Sequence, residues 1–240
     1  MRHRVRAADW QRIQRGVYAT FSGELTREAQ LWAALLRAGP EAVLSHQTAA
    51  ELYGLTKQPS SLIHVTVPQA SNPARSGKIP GVVVHRSRLV ETTRHPTLLP
   101  PRTRIEDTVL DLIADIDDPA DRYDLICRAI GGRLTTATRL WQALDKRSRF
   151  PDRREAESAL SDARQGAMSN LERWYLRGVE RRHKLPAATR QARMKGVGGS
   201  IYLDLRTQEA RCQTAGEVVR VLRDRGPWVG IRCQLAGCPV

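Results

Sequence analysis

The sequence predicts an α+β protein with a small mixed α/β region, a helical middle and an α/β tail. Three observations carry that expectation. Two short strand-like runs, LIHVTVP (62–68) and VVVHRS (82–87), precede a long tract whose apolar residues recur at helical spacing. Beyond that tract, a helix-like segment from about 169 to 184 is followed by two strand-like runs joined by a Gly-rich turn. A hydrophobic share of 41% is enough for a real core, which excludes wholesale disorder.

Each element has a local reason. WQRIQRGVYAT (10–20) predicts a β-hairpin or wing, with Arg15-Gly16 at the tight point and Ile13, Val17 and Tyr18 supplying strand propensity. In TREAQLWAALLRAGP, Thr26 is a natural N-cap, Leu31, Leu35 and Ala38 share a helical stripe, and Gly39-Pro40 stops the helix. SHQTAAELYGL (45–55) predicts a second short helix, capped by Ser45 and ended by Gly54. The two strands come next, joined by a basic Pro/Gly loop, SNPARSGKIPG, expected as a solvated hairpin tip. RTRIEDTVLDLIAD (102–115) places Ile105, Val109, Leu112 and Ile113 on one stripe. DRYDLICRAIGGR ends at Gly131-Gly132, and TTATRLWQALDKR sets Leu140, Trp141 and Leu144 on one side. A charged hinge then leads into a helix within REAESALSDARQ, and Gly166 marks a domain boundary. Leu171, Tyr175, Leu176 and Val179 form the expected apolar face of the next helix. TAGEVVRVLRDRG predicts a final helix and PWVGIRCQ a terminal strand or tail.

Charge narrows the function classes. There are 39 Lys and Arg against 25 Asp and Glu, a net charge of +14. Residues 170–240 carry 14 basic and 6 acidic residues, while residues 1–169 carry 25 and 19. Such a balance favours a polyanionic partner, with nucleic acid the default. No apolar run approaches the roughly 20 residues of a membrane span, and the N-terminus lacks the apolar core of a signal peptide, so a cytoplasmic protein without a membrane partner is expected. Cys127 lies in an apolar helical pattern and is expected as a buried small hydrophobe. Cys233 and Cys238 in the tail are too few for a tetrahedral zinc site.

WQRIQRGVYAT, AGPEAVLSHQTAAELYGL, HVTVPQ, VVVHRSRL and TRIEDTVLDL, in that order, resemble an actinobacterial group related to AbiEi-type antitoxins of type IV toxin–antitoxin systems. SNLERW…GGSIYLDL and the ending WVGIRCQLAGCPV resemble the C-terminal domain found in many of its members, similar to the Vsr-like endonucleases of the PD-(D/E)xK superfamily. The resemblance implies a winged-helix wing region over 1–55, an antitoxin-like α+β and helical region over 56–165, and a restriction-endonuclease-like domain over 166–240. It also implies a possible cognate toxin as partner. Two departures accompany it. The helices that precede the wing in such proteins, including the DNA recognition helix, are missing, so the winged helix is expected to be truncated. Between Asp204 and Thr214 only Glu209 is acidic, so the second metal-binding strand is missing and the tail is expected to be a degenerate nuclease.

Metal-assisted phosphodiester hydrolysis needs two or more carboxylates converging on a divalent cation. The candidates are Glu172, Asp204 and Glu209, with Lys184 or Lys195 as cationic helpers and Asp204 as the possible metal ligand. Ser169-Asn170-Leu171-Glu172 also fits a capping box, which explains Glu172 without a metal. Glu209 is too close to Asp204 to come from a separate neighbouring strand. No cofactor is therefore expected, and Mg2+ enters only if the nuclease alternative holds. His46 is expected as a cap or packing residue, and His64 and His85 as structural packing residues on the two strands, with a small polar pair across a hairpin as the alternative. His183, at a basic helix end, complements the helix dipole. The leading expectation is a non-catalytic regulator that binds nucleic acid weakly through Arg12, Arg15, Arg75, Lys78, Arg177, Arg181 and Arg182. The alternatives are a metal-dependent endonuclease and a truncated product without independent activity.

Overall fold

A computed structural model describes residues 10–56, 58–71, 78–183, 189–196 and 199–206. The fold is α+β, and the chain divides into two compact units, Met1–Arg164 and Gln165–Val240.

The first unit opens with an antiparallel hairpin, β1 (Gln11–Gln14) and β2 (Val17–Ala19). Gly16, at φ 82, makes the left-handed turn that other residues take at a cost. Helix α1 (Arg27–Ala38) starts where the Thr26 hydroxyl accepts from the Ala29 amide, and Gly39 ends it. Strand β3 (Val43–Leu44) leads directly into α2 (His46–Leu52), and β4 (Ile63–Pro68), β5 (Val82–Ser87) and the one-turn helix α3 (Val90–Thr93) follow. Four helices complete the unit: α4 (Ile105–Ala114), α5 (Pro119–Gly131), α6 (Ala137–Asp145) and α7 (Arg153–Arg164).

The sheet order is β3-β4-β5, with β3 antiparallel and β5 parallel to β4. This corrects the expected hairpin. The connection 69–81 is long enough for a parallel crossover, which takes about a dozen residues or more. Ile79 anchors it in the apolar cluster of the sheet. Alternation along β4 then divides the sheet's two faces. Ile63, Val65 and Val67, with Val82 from β5, pack against Leu31, Ala34 and Leu35 of α1. His64 and Thr66 point to the opposite face, where α2 lies.

A second cluster joins α2 to the helices. Ala50 and Leu55 pack with Val109, Leu110 and Ile113 of α4, Tyr123 and Ile126 of α5, Leu140 and Leu144 of α6 and Leu160 of α7. Cys127 is buried there as a small hydrophobe, as its sequence pattern predicts. Gly54, at φ 70, ends α2, and the Leu55 amide donates back to the Ala50 carbonyl.

In the second unit, α8 (Asn170–Tyr175) continues as a π-helical turn, Leu176–Arg181. The expected apolar face is only partly realised, because Leu176 is buried but Leu171 is 48% exposed. The wider π turn shifts which residues share a side, and Arg173 and Glu180 are buried instead. Strands β6 (Thr189–Gly196) and β7 (Gly199–Arg206) pair antiparallel, from Thr189 opposite Arg206 to Gly196 opposite Gly199, as the Gly-rich turn predicts. The expected final helix and terminal strand lie outside the described residues.

Candidate functional site

Of the carboxylates singled out in the sequence, Glu172 is the one with described side-chain contacts. Glu172 is engaged in a capping box: its amide donates to Ser169 Oγ, and its carboxylate accepts from the Met168 amide at 2.9 Å and contacts Ser169 Oγ at 3.2 Å. Asp204 lies in β7, and Glu209, Lys184 and Arg75 lie outside the described residues. Of the basic candidates, Arg12 is exposed on β1 opposite Tyr18, and Arg15 is exposed in the hairpin turn. Lys78 is exposed ahead of β5. Arg177 is half-buried in the π turn, and Arg181 and Arg182 are exposed at its end. Other cations serve the interior. Arg102 is buried and donates to the carbonyls of Leu52, Leu99 and Pro100, while Arg27 pairs with Glu51 at 2.8 Å.

Among the described residues, three histidines, His46, His64 and His85, meet on the polar face of the β3-β4-β5 sheet. In the parallel register His64 pairs with Val83 and Thr66 with His85, so both histidines share one face, diagonally placed. His64 Nδ1 lies 3.1 Å from His85 Nε2. The third ring arrives from the neighbouring strand. The Ser45 amide donates to the His64 carbonyl, which places the start of α2 directly over β4. His46 then stacks on His85 with ring centroids 3.6 Å apart and an interplanar angle of 12°. One potential ligand atom from each of the three side chains lies within 4.8 Å of the other two.

Polar neighbours fix this arrangement. Ser45 Oγ does not cap α2, as the sequence predicted; it lies 3.0 Å from His46 Nδ1 and accepts from the buried Thr66 hydroxyl at 2.7 Å. The Thr48 hydroxyl accepts from the His64 amide at 2.9 Å. His46 itself adopts φ 49, a left-handed conformation uncommon for a residue with a side chain.

The electrostatics disfavour protonation of the rings. Burial lowers the His46 pKa from 6.5 to about 4, with His64 and Arg147 acting in the same direction and Asp115 opposing. Burial, then the neighbouring His46 and His64, lower His85 to about 4 against Asp115 and Asp111. His64 is lowered by burial, against Asp115. A neutral imidazole keeps a lone pair at one nitrogen, so the cluster can accept a proton or a cation, and the Asp111 and Asp115 carboxylates favour positive charge. Asp111 is shared with Arg147, which contacts it at 2.7 Å and Asp107 at 3.1 Å. Burial alone would lower the Arg147 pKa, but the two carboxylates hold it above its ordinary value.

No protein-family model and no curated protein matches this chain. Sequence reasoning weighed a His64–His85 pair but not its third member. A hairpin between the strands leaves no reason to bring in His46. The available signal was the Ser45-His46 pair directly after a two-residue apolar run: if Val43-Leu44 joins the sheet beside LIHVTVP, the next residues must cross the strand bearing His64.

Proposed function

We propose that the chain is a non-catalytic, antitoxin-like regulator that binds nucleic acid through its basic surface. The observation that carries this reading is the net charge of +14, with Arg12, Arg15, Lys78, Arg181 and Arg182 exposed. Cations of this kind contact phosphates, which sets affinity and salt dependence without selecting a sequence. The capping role of Glu172 favours this reading over a nuclease, because it explains that carboxylate without a metal. A cognate toxin remains the proposed protein partner, on the resemblance to AbiEi-type antitoxins.

Titrating labelled duplex DNA with the full chain at two salt concentrations tests the proposal. Log K is expected to fall with log salt at a slope of about −0.9 per phosphate contacted, with little difference between unrelated sequences. An affinity unchanged by salt contradicts the reading. Plasmid nicking in Mg2+ that Asp204→Ala abolishes replaces it with the endonuclease.

A further inference from the structure

We propose that His46, His64 and His85 form a three-histidine site for a divalent transition-metal cation of the zinc class. The convergence of ligand atoms comes first. His64 Nδ1 and His85 Nε2 share a hydrogen bond at 3.1 Å, a separation close to the roughly 3.3 Å between two nitrogens on a tetrahedral ion with metal–nitrogen bonds of about 2.0–2.1 Å, so an ion would take the place of the shared proton. All three ligand atoms lie within 4.8 Å of one another, and because His46 and His85 are stacked 3.6 Å apart, their rings must turn out of the stack before both lone pairs point at one ion.

The framework holding the rings is independent of any ion. His64 and His85 sit on adjacent strands in fixed register, and His46 is tied over them by the Ser45 amide bond to the His64 carbonyl. The Thr66–Ser45–His46 chain supplies what ligand histidines usually have, a polar partner on the second ring nitrogen. In the tautomer that carries its proton on Nδ1 and donates to Ser45 Oγ, Nε2 of His46 is the available ligand atom. The left-handed backbone of His46 fits the same reading, since such strain concentrates where a side chain must be aimed.

The chemistry selects the ion. Imidazoles suit zinc, copper, nickel and iron, whereas magnesium and calcium prefer oxygen donors. An imidazole ligates through the in-plane lone pair of an unprotonated ring nitrogen, so binding is expected to compete with protons. Three protein ligands leave a fourth position for water or for a group from a bound partner. A site on this sheet differs in kind and place from the carboxylate site expected around Asp204, and it is independent of DNA binding.

The test uses the full chain, stripped with a chelator and titrated with Zn2+ by calorimetry and with Co2+ by visible absorption. One equivalent is expected to bind, with cobalt bands of tetrahedral intensity and no thiolate-to-cobalt charge-transfer band. Ser45→Ala is expected to weaken binding about 10–100-fold, and His85→Gln to abolish it while the far-ultraviolet dichroism stays native. Absence of saturable binding overturns the proposal. So does binding that persists in folded His85→Gln, or a thiolate band, which moves the ion to the cysteines. Should His85→Gln not fold, imidazole nitrogen NMR of the wild-type protein decides: Zn2+ must shift three rings, and unshifted rings reject the site.

Discussion

Arg147 shows what one buried charge asks of its surroundings. Its guanidinium bridges Asp107 and Asp111 on consecutive turns of α4 and also donates to the Asp107 carbonyl, yet its Nε has no hydrogen-bond partner. Burial raises the pKa of both carboxyls in spite of the cation between them. Desolvating three charges consumes most of their mutual attraction, so the group specifies geometry more than it adds stability. Removing one member is a different matter, because the others are left buried and unpaired. Arg147→Ala is expected to destabilise the protein by about 3–5 kcal/mol in urea denaturation. Replacing Arg147, Asp107 and Asp111 together with apolar residues of similar size is expected to cost far less. A triple variant as unstable as the single one would show that the ion pairs themselves stabilise the fold. Asp111 also faces His85, so the single variant leaves its charge free to act on that ring.

At the scale of elements, the helix starts divide into two kinds. Thr26, Asp118, Thr136 and Ser169 each accept a hydrogen bond from an amide of the first turn, and Thr26 and Ser169 were read as caps from the sequence. Thr136→Ala, which loses the bond from the Arg139 amide, is expected to cost about 1 kcal/mol, measured as a shift in the denaturation midpoint at constant slope. Ser45 belongs to the second kind. Its hydroxyl serves Thr66 and His46 instead of α2, so Ser45→Ala should act through the histidine cluster rather than through helix propensity. Local period and turn residues placed α1, α2, β4, β5 and the helices from α4 to α7 in the sequence, because each signal lies within the element that it describes. Strand direction is not local. LIHVTVP announces a strand with two different faces, but nothing within it distinguishes a hairpin from a parallel crossover; that choice depends on the length of 69–81 and on where Ile79 is buried. The histidine trio inherits this limit, since it exists only once β3, β4 and β5 are assembled. The π turn was hidden for a related reason: a 3.6-residue period cannot anticipate where a helix widens.

At the scale of the whole molecule, pH should act through the histidines of the first unit. Both His46 and His85 have folded pKa values near 4 and an ordinary value of 6.5 when unfolded. Well above pH 6.5 neither state binds a proton at these rings, so they leave stability unaffected. Between about 6.5 and 4 the unfolded chain takes up protons that the folded one refuses, and stability must fall as pH falls. Below about 4 the penalty is complete and further acid adds nothing from these groups. The charges that face the rings set the size of the effect. Asp115 and Asp111 ease protonation of His85, and Arg147 and His64 oppose it at His46. Protonating one of two rings stacked at 3.6 Å also makes the second proton harder to add, so the loss should be spread over the window rather than sharp. Urea midpoints of the chelator-treated protein, compared at pH 7 and about pH 5, are expected to drop, and His85→Gln should reduce the drop because one of the proton-refusing rings is gone. Asp107 and Asp111, whose pKa values burial raises, act in the opposite sense, so the deciding result is the difference between the two proteins: a drop that His85→Gln leaves unchanged would mean that the folded protein accepts these protons and that the cluster is more open to water than its packing implies.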